Sequence, residues 1–362
     1  MKHTLLFFVF ILGIASCQST KPAEIKEDEP FTVWTWMTAR RDMPDSAYQT
    51  RFKQLEASGV DAVLINTGTD PKELERLAAL ATEAGLEVHA WMFTMNRPGD
   101  TVALKHPEWY AVSREGKSCF DTRPYVDYYQ WMCPTREASR SHVLSLVEGL
   151  AKVPGVASVH LDYIRYSDVF LPIGLLPKYD LIQNEELPEF DFCYCDVCLG
   201  EFEKIHHKNP LAMEHPELDI EWRQFRLNQV KAVVDDAYEI AHAHDKVLTA
   251  AVFPYPEMAA NMVRQRWDKW NVDKVLPMIY HNFYNEELDW IAFATRQGVT
   301  DLSAKETELH TGLYLPSIAP EELLKAITYA RDQGARGVAL FDANALSDQH
   351  LQVLQQFKTS IQ

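Results

Sequence analysis

The stretch Val159-His160-Leu161-Asp162-Tyr163 begins as an apolar, β-branched strand yet carries an imidazole and a carboxylate. In a strand, successive side chains point to opposite faces. Ser158, His160 and Asp162 therefore share one face, and Ala157, Val159, Leu161 and Tyr163 the other. A carboxylate at the open end of a buried strand is suited to general acid–base or nucleophilic work, because burial tunes its pKa. His160, one layer deeper, is expected to orient Asp162 or tune it. The structural alternative is a carboxylate paired with Arg165 or a neighbouring strand.

Other predicted strand ends supply polar partners. The first runs into Arg40 and Arg41, and the second ends at Asn66. The third carries His89 and Trp91, and the sixth ends with Tyr280, His281 and Tyr284. Asp342 lies at the end of the eighth and Glu257 just beyond the fifth. Asp162, His160 and Asp342 form the expected catalytic set. Arg40, Asn66, Trp91, Arg165, Tyr280 and His281 form the expected substrate-binding set. Aromatic faces beside carboxylates and amides suit a sugar. Hydrolysis of a glycosidic bond needs a second carboxyl, for which Asp342 and Glu257 both qualify.

A second chemistry is open. Arg40, Arg41, Arg97, Arg123 and Arg165 fall near strand ends, and guanidinium suits a carboxylate or sulfate. An anionic oligosaccharide fits such a mouth, with His or Tyr serving a β-elimination that leaves an unsaturated uronate at the non-reducing end. The alternative is that these arginines pair with Asp42, Asp121 and Asp168. A sugar-binding protein without catalysis is the third reading.

The elements that position these residues follow one rhythm. Helix-like stretches run to a glycine and a β-branched strand follows, as in "ASGVDAVLIN", "EAGLEVHAWMF", "VPGVASVHLDY", "RQGVTD" and "DQGARGVALFD". Glycine just past a helix accepts the left-handed conformation without strain. Eight strands are expected at 31–37, 60–67, 87–95, 156–164, 247–253, 274–281, 311–316 and 337–342. Helices are expected at 45–58, 71–84, 135–152, 217–244, 257–270, 286–297, 320–333 and 347–358. Eight such units predict an α/β fold, a (β/α)8 TIM barrel, over residues 31–362. The strand-to-helix connections 96–134 and 165–216 are long, which marks them as functional loops. No GxGxxG motif follows the first strand, so a doubly wound dinucleotide fold is the weaker alternative and no organic cofactor is expected.

The chain of 362 residues is 47% hydrophobic, ample for one large core, and has a formal charge of −17. Without a basic run to neutralise phosphates, nucleic acid is not an expected partner. Residues 1–16 read as a signal peptide: Lys2 and His3 precede the apolar run "LLFFVFILGI". Ile14-Ala15-Ser16-Cys17 resembles the lipobox of bacterial lipoproteins. The resemblance implies cleavage before Cys17, lipidation of its thiol and anchoring to a membrane, with the protein facing the periplasm or the cell surface. Residues 17–30 read as a polar tether.

"CYCDVC" places Cys193, Cys195 and Cys198 close together. Such spacing favours a structural zinc over disulfides, with Cys133 or Cys119 as the fourth ligand. Five cysteines follow position 17, an odd number that pairwise disulfides leave incomplete. The cluster is similar to one in certain zinc-containing β-galactosidases of the same fold.

The segment Gly155–Tyr166, read as G-V-x-x-V-H-L-D-Y-I-R-Y, resembles the strand-four motif of glycosyl-hydrolase-like barrel families. "MIYHNFY" is similar to their sixth-strand end. Ser167 stands where those families usually carry Pro. The resemblance implies a (β/α)8 enzyme of polysaccharide breakdown. Barrel glycosidases of the α-galactosidase type place a nucleophilic Asp at the end of strand four, and by that likeness Asp162 is the nucleophile or charge stabiliser.

Overall fold

The computed structural model describes residues 30–361. The signal-peptide, tether and Cys17 expectations concern residues 1–30 and, Pro30 apart, lie outside the described residues. The strands are β1 (Thr32–Thr38), β2 (Ala62–Asn66), β3 (Glu87–Phe93), β4 (Ser158–Asp162), β5 (Val247–Val252), β6 (Lys274–Pro277), β7 (Glu308–Tyr314) and β8 (Gly337–Phe341). They form a closed barrel in sequence order, every neighbouring pair parallel. This is the expected (β/α)8 barrel.

The helices are α1 (Asp45–Ala57), α2 (Pro71–Glu83), α3 (Glu137–Ala151), α4 (Asp196–His206), α5 (Ile220–Ala243), α6 (Pro256–Val263), α7 (Trp290–Asp301), α8 (Pro320–Asp332) and α9 (Asp348–Ile361). Local chemistry explains α2 well. Asp70 accepts from the amides of Lys72 and Glu73, Pro71 opens the first turn, and Leu74, Leu77, Ala78 and Ala81 make one buried stripe.

Parity divides the residues within β4 as expected, but Tyr163, expected beside Val159 and Leu161, lies past the strand end and lines the cavity instead. Val159 and Leu161 belong to the apolar layer between sheet and helices. Trp34, Trp36, Leu64, Trp91 and Leu276 fill the barrel interior, with Ala62, Ala251 and Ala339 leaving room for the indoles. Burying aromatic surface of this size is a main source of core stability.

Several boundaries differ from the sequence expectation. The helix expected at 257–270 stops at Val263, because Arg264 adopts φ 58° and a short turn follows. Strand β6 ends at Pro277, so Tyr280 and His281 lie in the turn beyond it. Strand β7 starts earlier than 311, at Glu308, whose pairing with Lys274 in register and charge favours the start there. Gly298 of "RQGVTD" does not end a helix. It lies inside α7, where a Cβ would come 2.7 Å from Leu309, so glycine there allows helix and strand to touch. Helix α4 is an insertion in the loop after β4, and α5 is the helix that packs on the barrel.

Candidate active site

Asp162 is the last residue of β4, and its register partner on β3 is Phe93. Tyr163 follows with φ 52°, the left-handed region that is strained for a bulky side chain. That turn aims the Tyr163 amide at Asp162 Oδ1, at 2.7 Å. Trp91 Nε1 donates to the other oxygen at 3.0 Å. The carboxyl is only 9% exposed, and burial pushes its pKa up to about 6 despite the two donors.

His160 does not touch Asp162 through any hydrogen bond. Its Nε2 accepts from Trp36 Nε1 at 3.1 Å, which puts the ring proton on Nδ1, directed to Thr249 Oγ1 at 2.8 Å. Burial holds its pKa well below the usual range, so the imidazole is neutral. The residue that orients Asp162 is Trp91, on the neighbouring strand β3.

Above Asp162 opens a cavity of about 340 Å³. Asp162, Tyr163, Arg165 and Asp168 line it from the end of β4 and the loop beyond, and Tyr125, Tyr128 and Tyr129 from the loop after β3. Tyr280, Tyr284, Tyr314 and Phe341 complete much of the wall from the ends of β6, β7 and β8. The turn 173–179, with Lys178 and Tyr179, covers one side. Gly174 makes that cover tight: a Cβ there would lie 2.7 Å from the carbonyl oxygens of Asn282 and Phe283.

Arg165 and Asp168 are both buried and joined at 3.1 Å. The guanidinium carbon also sits 4.7 Å from the Trp131 ring centroid and 5.1 Å from that of Phe253. The alternative reading of the arginines named this pair of Arg165 with Asp168 and that of Arg40 with Asp42. Arg40 is exposed and bonded to Asp42 at 3.0 Å, and Arg97 to Asp100 at 2.8 Å. Arg41 and Asn66 lie in a separate groove of about 640 Å³ at the ends of β1 and β2. Their charge or hydrogen-bonding capacity is therefore not focused on Asp162.

Of the remaining expected residues, Arg165 and Tyr280 line the cavity. Trp91 lies beneath it. His281 is buried at the start of the turn after β6, outside the lining. Asp342 caps its own turn by accepting from the Asn344 amide at 2.9 Å, and it does not line the cavity. Glu257 is exposed on α6. The second carboxyl in the cavity is Asp168. Tyr280 and Tyr284 of the tyrosine wall are among the expected residues, whereas Tyr125, Tyr128 and Tyr129 are not, although "YVDYY" at 125–129 carries the signal.

The four thiols of Cys133, Cys193, Cys195 and Cys198 converge behind this wall. All are buried and unbridged, and their sulfurs lie within 4.8 Å of one another. Cys133 is 3.6 Å from Cys195 and 3.5 Å from Cys198. Sulfurs about 2.3 Å from a tetrahedral zinc ion lie about 3.8 Å apart, so the cluster is close to the size a metal ion needs. Cys119 is buried apart from it. Cys133 ends the tyrosine loop and the other three belong to the loop after β4, so the cluster joins both cavity walls. Arg226 supports the second loop by donating to Asp191 and to the Phe192 carbonyl.

No protein-family model matches the chain, and no curated protein matches it in sequence. Solved structures do match in shape. The PgaB glycoside hydrolase domain from Bordetella bronchiseptica aligns over 90% of this chain and 98% of its own, with TM-score 0.66 and 14% identity. The shared architecture is the (β/α)8 barrel. The β-amylase catalytic domain from Paenibacillus polymyxa aligns over 92% of this chain and 98% of its own, with TM-score 0.63 and 10% identity. The GH36 α-galactosidase AgaA from Geobacillus stearothermophilus aligns over 94% of this chain and 42% of its own, with TM-score 0.52 and 12% identity. At these identities the likeness is one of fold.

Proposed function

We propose that this chain is a carbohydrate-active enzyme, a glycoside hydrolase acting on acidic oligosaccharides, with Asp162 as its central carboxyl. The observation that carries the reading is the position of Asp162: at the C-terminal end of β4, on the floor of an aromatic cavity, with a pKa pushed up to about 6. In barrels of this kind the strand C-termini build the active site. A carboxyl poised near neutral pH can give or take a proton during turnover. Tyrosine faces suit the apolar faces of a sugar ring. Lys178, exposed on the cavity rim with no carboxylate partner among the described residues, supports an anionic substrate.

Elimination to an unsaturated uronate is the second reading, and one observation favours it. Among the described residues, Asp162 is the one lining carboxyl without an ion-pair partner, since Arg165 holds Asp168. A two-carboxylate mechanism then has only one free member. Incubation with acidic oligosaccharides separates the readings. New reducing ends without ultraviolet absorbance mean hydrolysis, and absorbance from a conjugated double bond means elimination. Binding with neither product means a sugar-binding lipoprotein.

Two accessory readings belong with this one. The four-cysteine cluster holds a structural zinc, closed to substrate, that fastens the two cavity loops. The chain is lipidated at Cys17 and faces away from the cytoplasm. Metabolic labelling with palmitate, lost in Cys17→Ala, tests the anchor.

A further inference from the structure

Tyr280 stands three residues beyond β6, and its ring packs against Tyr314 at 5.2 Å and Phe341 at 6.0 Å between centroids. The residue is 7% exposed, and its hydroxyl is buried without a hydrogen-bond partner. Native proteins rarely leave a buried hydroxyl unpaired unless a ligand or water completes it. Tyr280 and Asp162 line the same cavity.

We infer that Tyr280 is a catalytic residue, its hydroxyl donating to the sugar oxygen that gains negative charge as the bond beside Asp162 breaks. The inference rests on the hydrolytic reading. The carbon–oxygen bond breaks with its electron pair passing to the departing oxygen. Water adds to the carbon, its proton goes to the Asp162 carboxylate, and that proton then reaches the departing oxygen. Tyr280 keeps its own proton throughout and supplies a hydrogen bond. Burial, reinforced by Asp162, pushes the phenol pKa well above its usual 10 and keeps it neutral, as a donor must be. A preorganised donor in a dry site is worth most where charge develops.

The test compares the wild type, Tyr280→Phe and Asp162→Asn on an acidic oligosaccharide and on an aryl glycoside of the same sugar. For Tyr280→Phe the expected result is a loss of about 10²–10³-fold in kcat on the oligosaccharide, with KM little changed. The loss should shrink on the aryl glycoside, whose departing oxygen needs less help. An equal loss on both substrates, a change in KM alone, or no loss overturns the role. Activity lost in Asp162→Asn but kept in Tyr280→Phe removes Tyr280 alone. A wild type that releases no aryl alcohol removes the hydrolytic reading and this inference with it. If Tyr280→Phe misfolds, fluorotyrosine at position 280 replaces it. A rate insensitive to the phenol pKa then overturns the role.

Discussion

Trp91 holds Asp162 from two residues below on the adjacent strand: its indole nitrogen donates to Asp162 Oδ2 at 3.0 Å, while its own strand partner is His160. The indole stabilises the charged form of a carboxyl that burial pushes toward the neutral one. Trp91→Phe keeps an aromatic ring and deletes the donor. A hydrogen bond to a charged group is worth about 1.5–3 kcal/mol, or about one to two pKa units. The limb of the kcat/KM–pH profile that reports Asp162 should move to higher pH by that amount. An unmoved limb would show that the contact does not tune the carboxyl.

The same burial sets a pH dependence of stability. Asp162 ordinarily titrates near 3.8 and here near 6, so between those values the folded protein binds more protons than the unfolded chain. Stability from this group therefore falls as pH rises through the window, by about 3 kcal/mol in total. Asp162→Asn removes the buried charge. It should unfold at a higher temperature than the wild type at about pH 8, with the advantage fading by about pH 4. Thermal unfolding at both pH values checks this, and an equal gain at both contradicts it.

Arg165 and Asp168 make a buried pair, so removing one partner strands the other. Arg165→Met should cost about 3–5 kcal/mol, and adding Asp168→Leu should recover much of it. Denaturant unfolding of the two single variants and the double variant measures the coupling. Additive effects would mean that the pair is not energetically joined.

Purified protein should carry one zinc per chain. Cys133→Ser should lower both the zinc content and the unfolding temperature, because the tyrosine loop loses its tie to the loop after β4. Elemental analysis and mapping of free thiols decide the matter. A metal-free protein with paired disulfides would remove the claim.

Much of the architecture was legible because its signals are local. Gly59, Gly85 and Gly334 take positive φ just past the ends of three helices, Gly155 does so in the turn before β4, and the alternation along β4 placed Asp162 inward. The clustering of Cys193, Cys195 and Cys198 was also local. Pairing across the fold was not. The sequence offers Asp42 and Asp168 as arginine partners, but nothing in the spacing says that the first pair lies in solvent and the second beneath a ring of tyrosines. His160 was assigned to Asp162 because the two are neighbours on one strand face. The barrel twist instead brings Trp36 and Thr249 to the imidazole. Asp342 looked catalytic at a strand end, but an Asp two residues before an amide readily folds back to cap it.

The most direct test of the central claim is the turnover of Asp162→Asn on an acidic oligosaccharide that the wild type cleaves, measured beside its binding. The account predicts binding retained and turnover reduced at least about 10³-fold. Turnover within about tenfold of the wild type, about 1.4 kcal/mol of barrier, would contradict it.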